Sequence, residues 1–251
     1  MKNAAQPFNN DVIAGDYDRH RSGGGPHLRA LAGLASKAKA RRVLEVGCGT
    51  GNSAAAFLKA YPCDLVGVDR SAGMLTHTRG KGGAAHFVNA DGVALPLRDG
   101  AFEFVFGVLM LHLNANLDSL FSECGRVLSV GRVAFVTAPH DFIERHVLNE
   151  YFPSFAAVDR ARFQHEDHVQ EALRATGFVD VGCEITRRDP EPVDAAYVER
   201  VAGKFITTLR LIPDDEFDEG IERLRRDVSR NGQLDKPMIW EAAVISGRTE
   251  S

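Results

Sequence analysis

The segment VLEVGCGTG, residues 43–51, places a carboxylate, Glu45, two residues ahead of the first of three closely spaced glycines, Gly47, Gly49 and Gly51. A glutamate inside an apolar strand loses its hydration, which is costly without a compensating partner. Glycines at this spacing permit positive φ and let a ligand approach the backbone, and a helix opening after them offers N–H groups with no intrahelical acceptor. Two aspartates follow later apolar runs, Asp69 after LVGV and Asp91 after HFVNA. Acids at the ends of strands in an open α/β sheet are placed to accept hydrogen bonds from a ligand's ribose. His112, after VFGVLML, carries the side chain best matched to proton transfer near neutral pH.

The elements that must position these groups can be read from periodicity. Apolar runs predict strands over residues 43–46, 65–68, 86–89, 102–111 and 132–137, with helices over 52–60, 71–79 and 117–128 between them, the second opened by Ser71 as N-cap. Strands that are continuously apolar and separated by helices imply a parallel sheet covered on both faces, a doubly wound α/β fold. The glycine loop then falls at the first strand–helix junction, where such sheets bind ligands. An amphipathic helix over 28–40 precedes this region. A helix over 169–175 stopped by Gly177, a strand over 178–186, helices over 193–209 and 215–230, and a last strand over 238–245 follow it. The aromatics Phe142, Tyr151, Phe152 and Phe155 could wall an apolar site or pack beneath the late helices.

Composition narrows the partners. The chain has 251 residues, 44% hydrophobic and 25% charged, enough for one sizeable core, and a net charge of −4 with no run of five like charges. Neither a nucleic-acid footprint nor a membrane-surface patch is expected, and a small molecule is the expected partner. The longest apolar run, 105–111, is too short to span a bilayer, and the first residues lack the apolar stretch of a signal peptide, so a cytoplasmic location is expected. Cys48, Cys63, Cys124 and Cys183 are scattered without a C-x-x-C pair, which points to a reducing compartment rather than disulfides or zinc. HEDH at 165–168 departs from H-E-x-x-H and falls where a helix start favours acids, so no metal is expected there.

Two cofactor classes use a loop of this kind. Residues 49–54 satisfy the permissive dinucleotide fingerprint G-x-G-x-x-G/A, and Asp69 lies 69 − 51 = 18 residues beyond Gly51, near the expected ribose acid. Glu45 opposes that reading, because a carboxylate beside the loop repels a pyrophosphate. Acid, then G-x-G-x-G, resembles motif I of class I S-adenosylmethionine-dependent methyltransferases, whose cofactor carries a cationic amino-acid end. The resemblance extends in order and spacing through LVGVDRSAGML (65–75), VNADGVALPLRDGAFEFVFGVLMLHL (88–113) and FSECGRVLSVGRVAFVTAPH (121–140), about 100 residues in all, and points to the small-molecule type found among ubiquinone, menaquinone and trans-aconitate methyltransferases.

The resemblance implies a Rossmann-like, mainly parallel seven-stranded sheet with an antiparallel last strand, helices on both faces, and one domain over 1–251 with a helical lid insertion over 190–232. It also implies roles. S-adenosylmethionine would be held by Glu45, the loop residues Gly47, Cys48, Gly49 and Gly51, Asp69 at the ribose, Arg70 beside it, Met74 and Val108 as apolar cover, and Asp91 with Gly92 at the adenine. Residues 1–27 would fold over the cofactor, with Tyr17 shielding the methyl donor and Arg21 pairing the carboxylate. His112 would be the general base if one is needed. A monomer or homodimer acting on a small methyl acceptor is expected. A nicotinamide-dependent oxidoreductase and a non-catalytic cofactor-binding protein of the same fold stand as alternatives, and O, N and C remain open as acceptor atoms.

Overall fold

A computed structural model describes residues 24–81 and 85–250. Strands β1 (Arg42–Val46), β2 (Asp64–Asp69), β3 (His86–Asn89), β4 (Phe102–Val108), β5 (Leu128–Thr137), β6 (Val179–Arg187) and β7 (Glu241–Arg248) form one sheet in the order β3-β2-β1-β4-β5-β7-β6. The pairs β1–β2, β1–β4, β2–β3 and β4–β5 are parallel, and β7 runs antiparallel to β5. The order reverses between β1 and β4, the topological switch point at which an open α/β sheet leaves a crevice beyond its strand carboxyl ends.

Helices α1 (Pro26–Lys37), α2 (Asn52–Ala60), α3 (Ala72–Leu75), α4 (Leu117–Val127) and α7 (Glu166–Ala175) belong with the sheet. Consecutive strand residues point to opposite faces. Val43, Phe104 and Phe106 accordingly join a core with Phe57 of α2 and Leu31 of α1, while Leu44 and Val105 join another with Leu120 and Phe121 of α4. Phe57 stacks on Phe106 at 4.7 Å between ring centroids. Both faces are therefore buried, which is why these strands read as unbroken apolar runs.

The remaining helices, α5 (His140–Arg145), α6 (Phe155–Arg162), α8 (Ala195–Ala202) and α9 (Asp214–Asn231), lie in the chain's other part. The described chain divides into two compact units: one holds 24–137, 164–186 and 242–250, the other Ala138–Phe163 and Arg187–Glu241. The second unit has its own core, centred on Leu148, Phe152, Tyr197, Leu209 and Leu224. Against the expected insertion over 190–232, this unit also takes in 138–163.

Several boundaries differ from the sequence reading. The strand expected over 102–111 ends at Val108, because Leu109 turns to φ +52° and Leu111–Leu113 form a 3-10 turn. The helix expected over 193–209 stops at Ala202, where Gly203 caps it and Lys204 takes φ +50°; Thr207–Arg210 is a separate 3-10 turn. The helix expected over 71–79 shortens to α3 plus a 3-10 turn, Thr76–Thr78, and Met238 makes an isolated bridge to Glu191 ahead of β7. Gly232 ends α9 at φ +79°, a left-handed cap that glycine adopts without strain.

Candidate functional site

The candidate groups lie on the sheet unit, at the carboxyl ends of β1 to β4. Glu45 is the fourth residue of β1, opposite Gly67 on β2 and Phe106 on β4. It is 1% exposed, and its Oε2 has no hydrogen-bond partner among the described residues. Burial, and secondly the negative charge of Asp69, hold its carboxyl pKa well above the usual carboxylate range. A desolvated, partnerless carboxyl oxygen is a cost that a cation placed against it would offset.

The loop after β1 is built tightly. The N–H groups of Gly47 and Cys48 both donate to the Val68 carbonyl, at 2.8 and 3.0 Å, which ties the loop to β2. Gly47 has φ +72°, and a Cβ there would lie 2.7 Å from Met110 Cβ, so no other residue fits without movement. Gly51, at φ +79°, opens α2, and a Cβ on it would approach the Phe87 ring to 3.1 Å. Cys48 is buried, and its thiol is held far above the ordinary range by burial first and then by Glu45 and Asp69, so it is inert.

Asp69, the last residue of β2, clamps this loop. Its Oδ2 accepts from Gly49 N–H at 2.7 Å and its Oδ1 from Ser71 N–H at 2.8 Å. An ionised carboxylate has about four acceptor positions, so each oxygen keeps capacity for a ligand hydroxyl while its plane is fixed by the backbone. Ser71 then caps α3, accepting from Met74 N–H at 3.0 Å, which seats Met74 in a buried position beside the strand end. Arg70, between them, is exposed. After β3, Asp91 is exposed, and its Oδ1 accepts from Val93 N–H at 3.1 Å. A Cβ on Gly92 would lie 2.8 Å from Val46 Cγ1, so the Asp91 turn packs directly on the end of β1. Val108 closes β4, and His112, half-buried, lies on the 3-10 turn that follows.

The structure thus brings Glu45, Gly47, Cys48, Gly49, Gly51, Asp69, Met74, Asp91, Gly92 and Val108 to neighbouring strand ends. Tyr17 and Arg21 fall outside the described residues. His165, in the HEDH stretch, caps α7 by accepting from Asp167 N–H at 3.2 Å. Sequence reasoning missed Met110, whose side chain fills the space that Gly47 and Gly107 leave. It also missed Arg126, which donates to Glu123, Asp99 and the carbonyls of Leu95 and Leu97, and so secures the loop downstream of Asp91. No local pattern marks either, since their partners are remote in sequence or become neighbours only after folding.

Sheet order and switch point define a Rossmann-like fold of the class I methyltransferase architecture, with a glycine loop and acids on β1 and β2 at its strand ends. Residues 43–131 match the family model described as a methyltransferase domain. Over 146 residues the chain is 32% identical to the malonyl-[acyl-carrier protein] O-methyltransferase of Legionella pneumophila, covering 56% of this chain and 51% of that protein. It is 34% identical over 94 residues to the fatty-acid O-methyltransferase of Mycolicibacterium smegmatis, 36% of this chain and 34% of that one. The matched regions thus span between a third and about half of these two relatives. Among solved structures, a protein assigned as a methyltransferase of an antibiotic biosynthesis pathway from Anabaena variabilis superposes with a TM-score of 0.66 at 18% identity, over 86% of this chain and 95% of that one. The Haemonchus contortus phosphoethanolamine N-methyltransferase 2, in complex with S-adenosyl-L-methionine, does so with a TM-score of 0.58 at 17% identity, over 96% and 57%. Residues 43–131 are thus similar to a methyltransferase domain, and the sheet has the fold of solved methyltransferases.

Proposed function

We propose that this protein transfers the methyl group of S-adenosylmethionine to an oxygen of a small-molecule acceptor. The observation that carries the cofactor half of this reading is Glu45, whose buried Oε2, without a partner among the described residues, stands beside the glycine loop where a dinucleotide would bring a pyrophosphate. An ammonium group fits that oxygen and a phosphate does not. The relatives named as O-methyltransferases support oxygen as the acceptor atom.

In this reading Glu45 holds the cationic end of the cofactor, Asp69 accepts from the ribose hydroxyls, and Met74 and Val108 cover the adenine with apolar surface. Asp91 and the Gly92 backbone take its polar edge. Tyr17, Arg21 and Arg70 are assigned to the cofactor on sequence resemblance. When bound, the cofactor supplies an electrophilic methyl group on a sulfonium. The protein's work is then alignment and exclusion of water. A carboxylate acceptor is already ionised at neutral pH and needs no base; a hydroxyl acceptor has a proton to lose, and His112 is the residue that takes it.

Calorimetric titration with S-adenosylhomocysteine tests the cofactor, and transfer of labelled methyl to a panel of carboxylic acids and phenols tests the acceptor. His112→Ala is expected to leave methyl-ester formation within a few-fold and to slow phenol methylation about 10²-fold. Equal loss on both would give His112 a packing role.

A further inference from the structure

The turn that follows β4 holds a residue whose side chain its backbone does not explain. Leu109 takes φ +52°, the left-handed region that a bulky side chain enters only at a cost. Among the described residues three others besides glycine do so, Lys39, Asp180 and Lys204, and all three are charged. The backbone at 109 has a clear task. Its N–H donates to the Val136 carbonyl at 2.8 Å, and the reversal folds Met110 back against Gly47 and Gly107, where an added Cβ would lie 2.7 and 3.0 Å from the Met110 side chain. The turn is locked beyond that point, because Leu113 N–H and Asn114 Nδ2 both donate to the Met110 carbonyl at 3.0 Å. Gln164 Nε2 braces it further, at 3.5 Å from the carbonyls of Leu111 and Asn114.

None of this calls for leucine. Glycine or asparagine takes the same conformation with less strain. Nor does the core claim the side chain: Met110 and Leu111 are 6% and 1% exposed, whereas Leu109 is 36% exposed. A strained residue held by rigid surroundings is a mark of a ligand site. Leu109 also lies at the carboxyl end of β4, one of the two strands that flank the switch point, with His112 on the turn that follows.

We propose that Leu109 is a specificity-determining residue that contacts the methyl acceptor, and that the acceptor is a hydroxyl compound carrying an apolar arm. The proposal rests on the reading of this protein as an O-methyltransferase and adds the substrate class. An alkyl or aryl arm laid on Leu109 covers apolar surface that water now meets, which strengthens acceptor binding. The leucine offers no charge to pair a carboxylate, and the acids Asp69 and Asp91 on neighbouring strand ends disfavour an anionic acceptor.

The test compares phenol with 4-butylphenol as acceptors of labelled methyl from S-adenosylmethionine, beside thermal melting and a separate calorimetric titration with S-adenosylhomocysteine. The wild type is expected to show a KM about fivefold or more lower for 4-butylphenol, at similar kcat. Leu109→Asn is expected to bring the two KM values together, to leave kcat on phenol and affinity for S-adenosylhomocysteine unchanged, and to melt a few degrees higher because the strain is relieved. Leu109→Gly is expected to act in the same way on KM, which keeps the test decisive if the asparagine variant does not fold. Equal KM values in the wild type, methylation of neither phenol, or a KM ratio untouched in the variants would overturn the inference. So would variants that melt lower, which would make Leu109 a packing residue, or that bind S-adenosylhomocysteine more weakly, which would make it a cofactor contact. Failure of the wild type to bind S-adenosylhomocysteine would instead sink the reading on which the proposal rests.

Discussion

At the scale of the residue Glu45 is decisive, because burial raises its carboxyl pKa and a cation placed against it would lower it. Its pKa is raised in the folded state, so its contribution to stability is fully present below the unfolded value of 4.5 and is lost as pH rises through the folded value. Glu45→Gln is therefore expected to gain melting temperature over the wild type, by a margin that grows as pH rises above 4.5, while binding S-adenosylhomocysteine at least tenfold more weakly. A margin that stays constant as pH rises from 4.5 would show that Glu45 does not titrate as its burial implies. Cofactor binding should release a proton, measurable as calorimetric enthalpies that vary with the ionisation heat of the buffer. Gly47→Ala is expected to cost about 2 kcal/mol or more in denaturant unfolding, since it adds a clash with Met110 to a positive φ. Glu45, the glycines and Asp69 were legible in the sequence because each is forced by one local requirement. Met110 was not, because its role exists only where the turn after β4 folds back over the loop.

At the scale of the element, the sheet order follows from strands that are apolar on both faces, and those strands stand close to where periodicity put them. The failures have physical causes. Residues 193–209 kept an apolar residue at every fourth position, yet the chain breaks at Gly203 and Lys204, so Phe205 and Leu209 reach the same core from a loop and a 3-10 turn. The early start of β5 at Leu128 was hidden by Ser129-Val130-Gly131, which reads as a turn and falls in a register irregularity: Leu128 pairs with Phe102 and Arg132 with Phe104. Arg126 is the element-scale feature with functional reach, since it anchors the segment from Leu95 to Asp99 to α4. Arg126→Met is expected to raise hydrogen exchange in residues 91–99 and to weaken S-adenosylhomocysteine several-fold, with α2 and β1 unaffected. Unchanged exchange there would mean that the loop is held by its own turns. Ser71→Ala, which removes the cap of α3, is expected to cost about 1 kcal/mol.

At the scale of the whole molecule, the described chain is two compact units with separate cores, of which the sequence revealed the sheet unit more fully because α/β alternation has a period and the helical unit does not. Among the described residues no helix is long and apolar enough to cross a membrane. His146 gives the second unit a pH signature. Its pKa is lowered to about 3 from 6.5, so its stabilising contribution is full above 6.5 and fades as pH falls towards 3. His146→Phe should therefore be less acid-sensitive than the wild type over that window by thermal unfolding, and parallel curves would place the acid sensitivity elsewhere. The central claim, that a buried acid beside a glycine loop marks a site for a cationic nucleoside cofactor, is tested most directly by calorimetric titration of the intact protein. S-adenosylhomocysteine would be the titrant, NADH and NADPH the parallel ligands, and Asp69→Ala the control. Saturable binding of S-adenosylhomocysteine alone, lost in Asp69→Ala, is the expected result. Binding of a nicotinamide cofactor in its place would contradict the account.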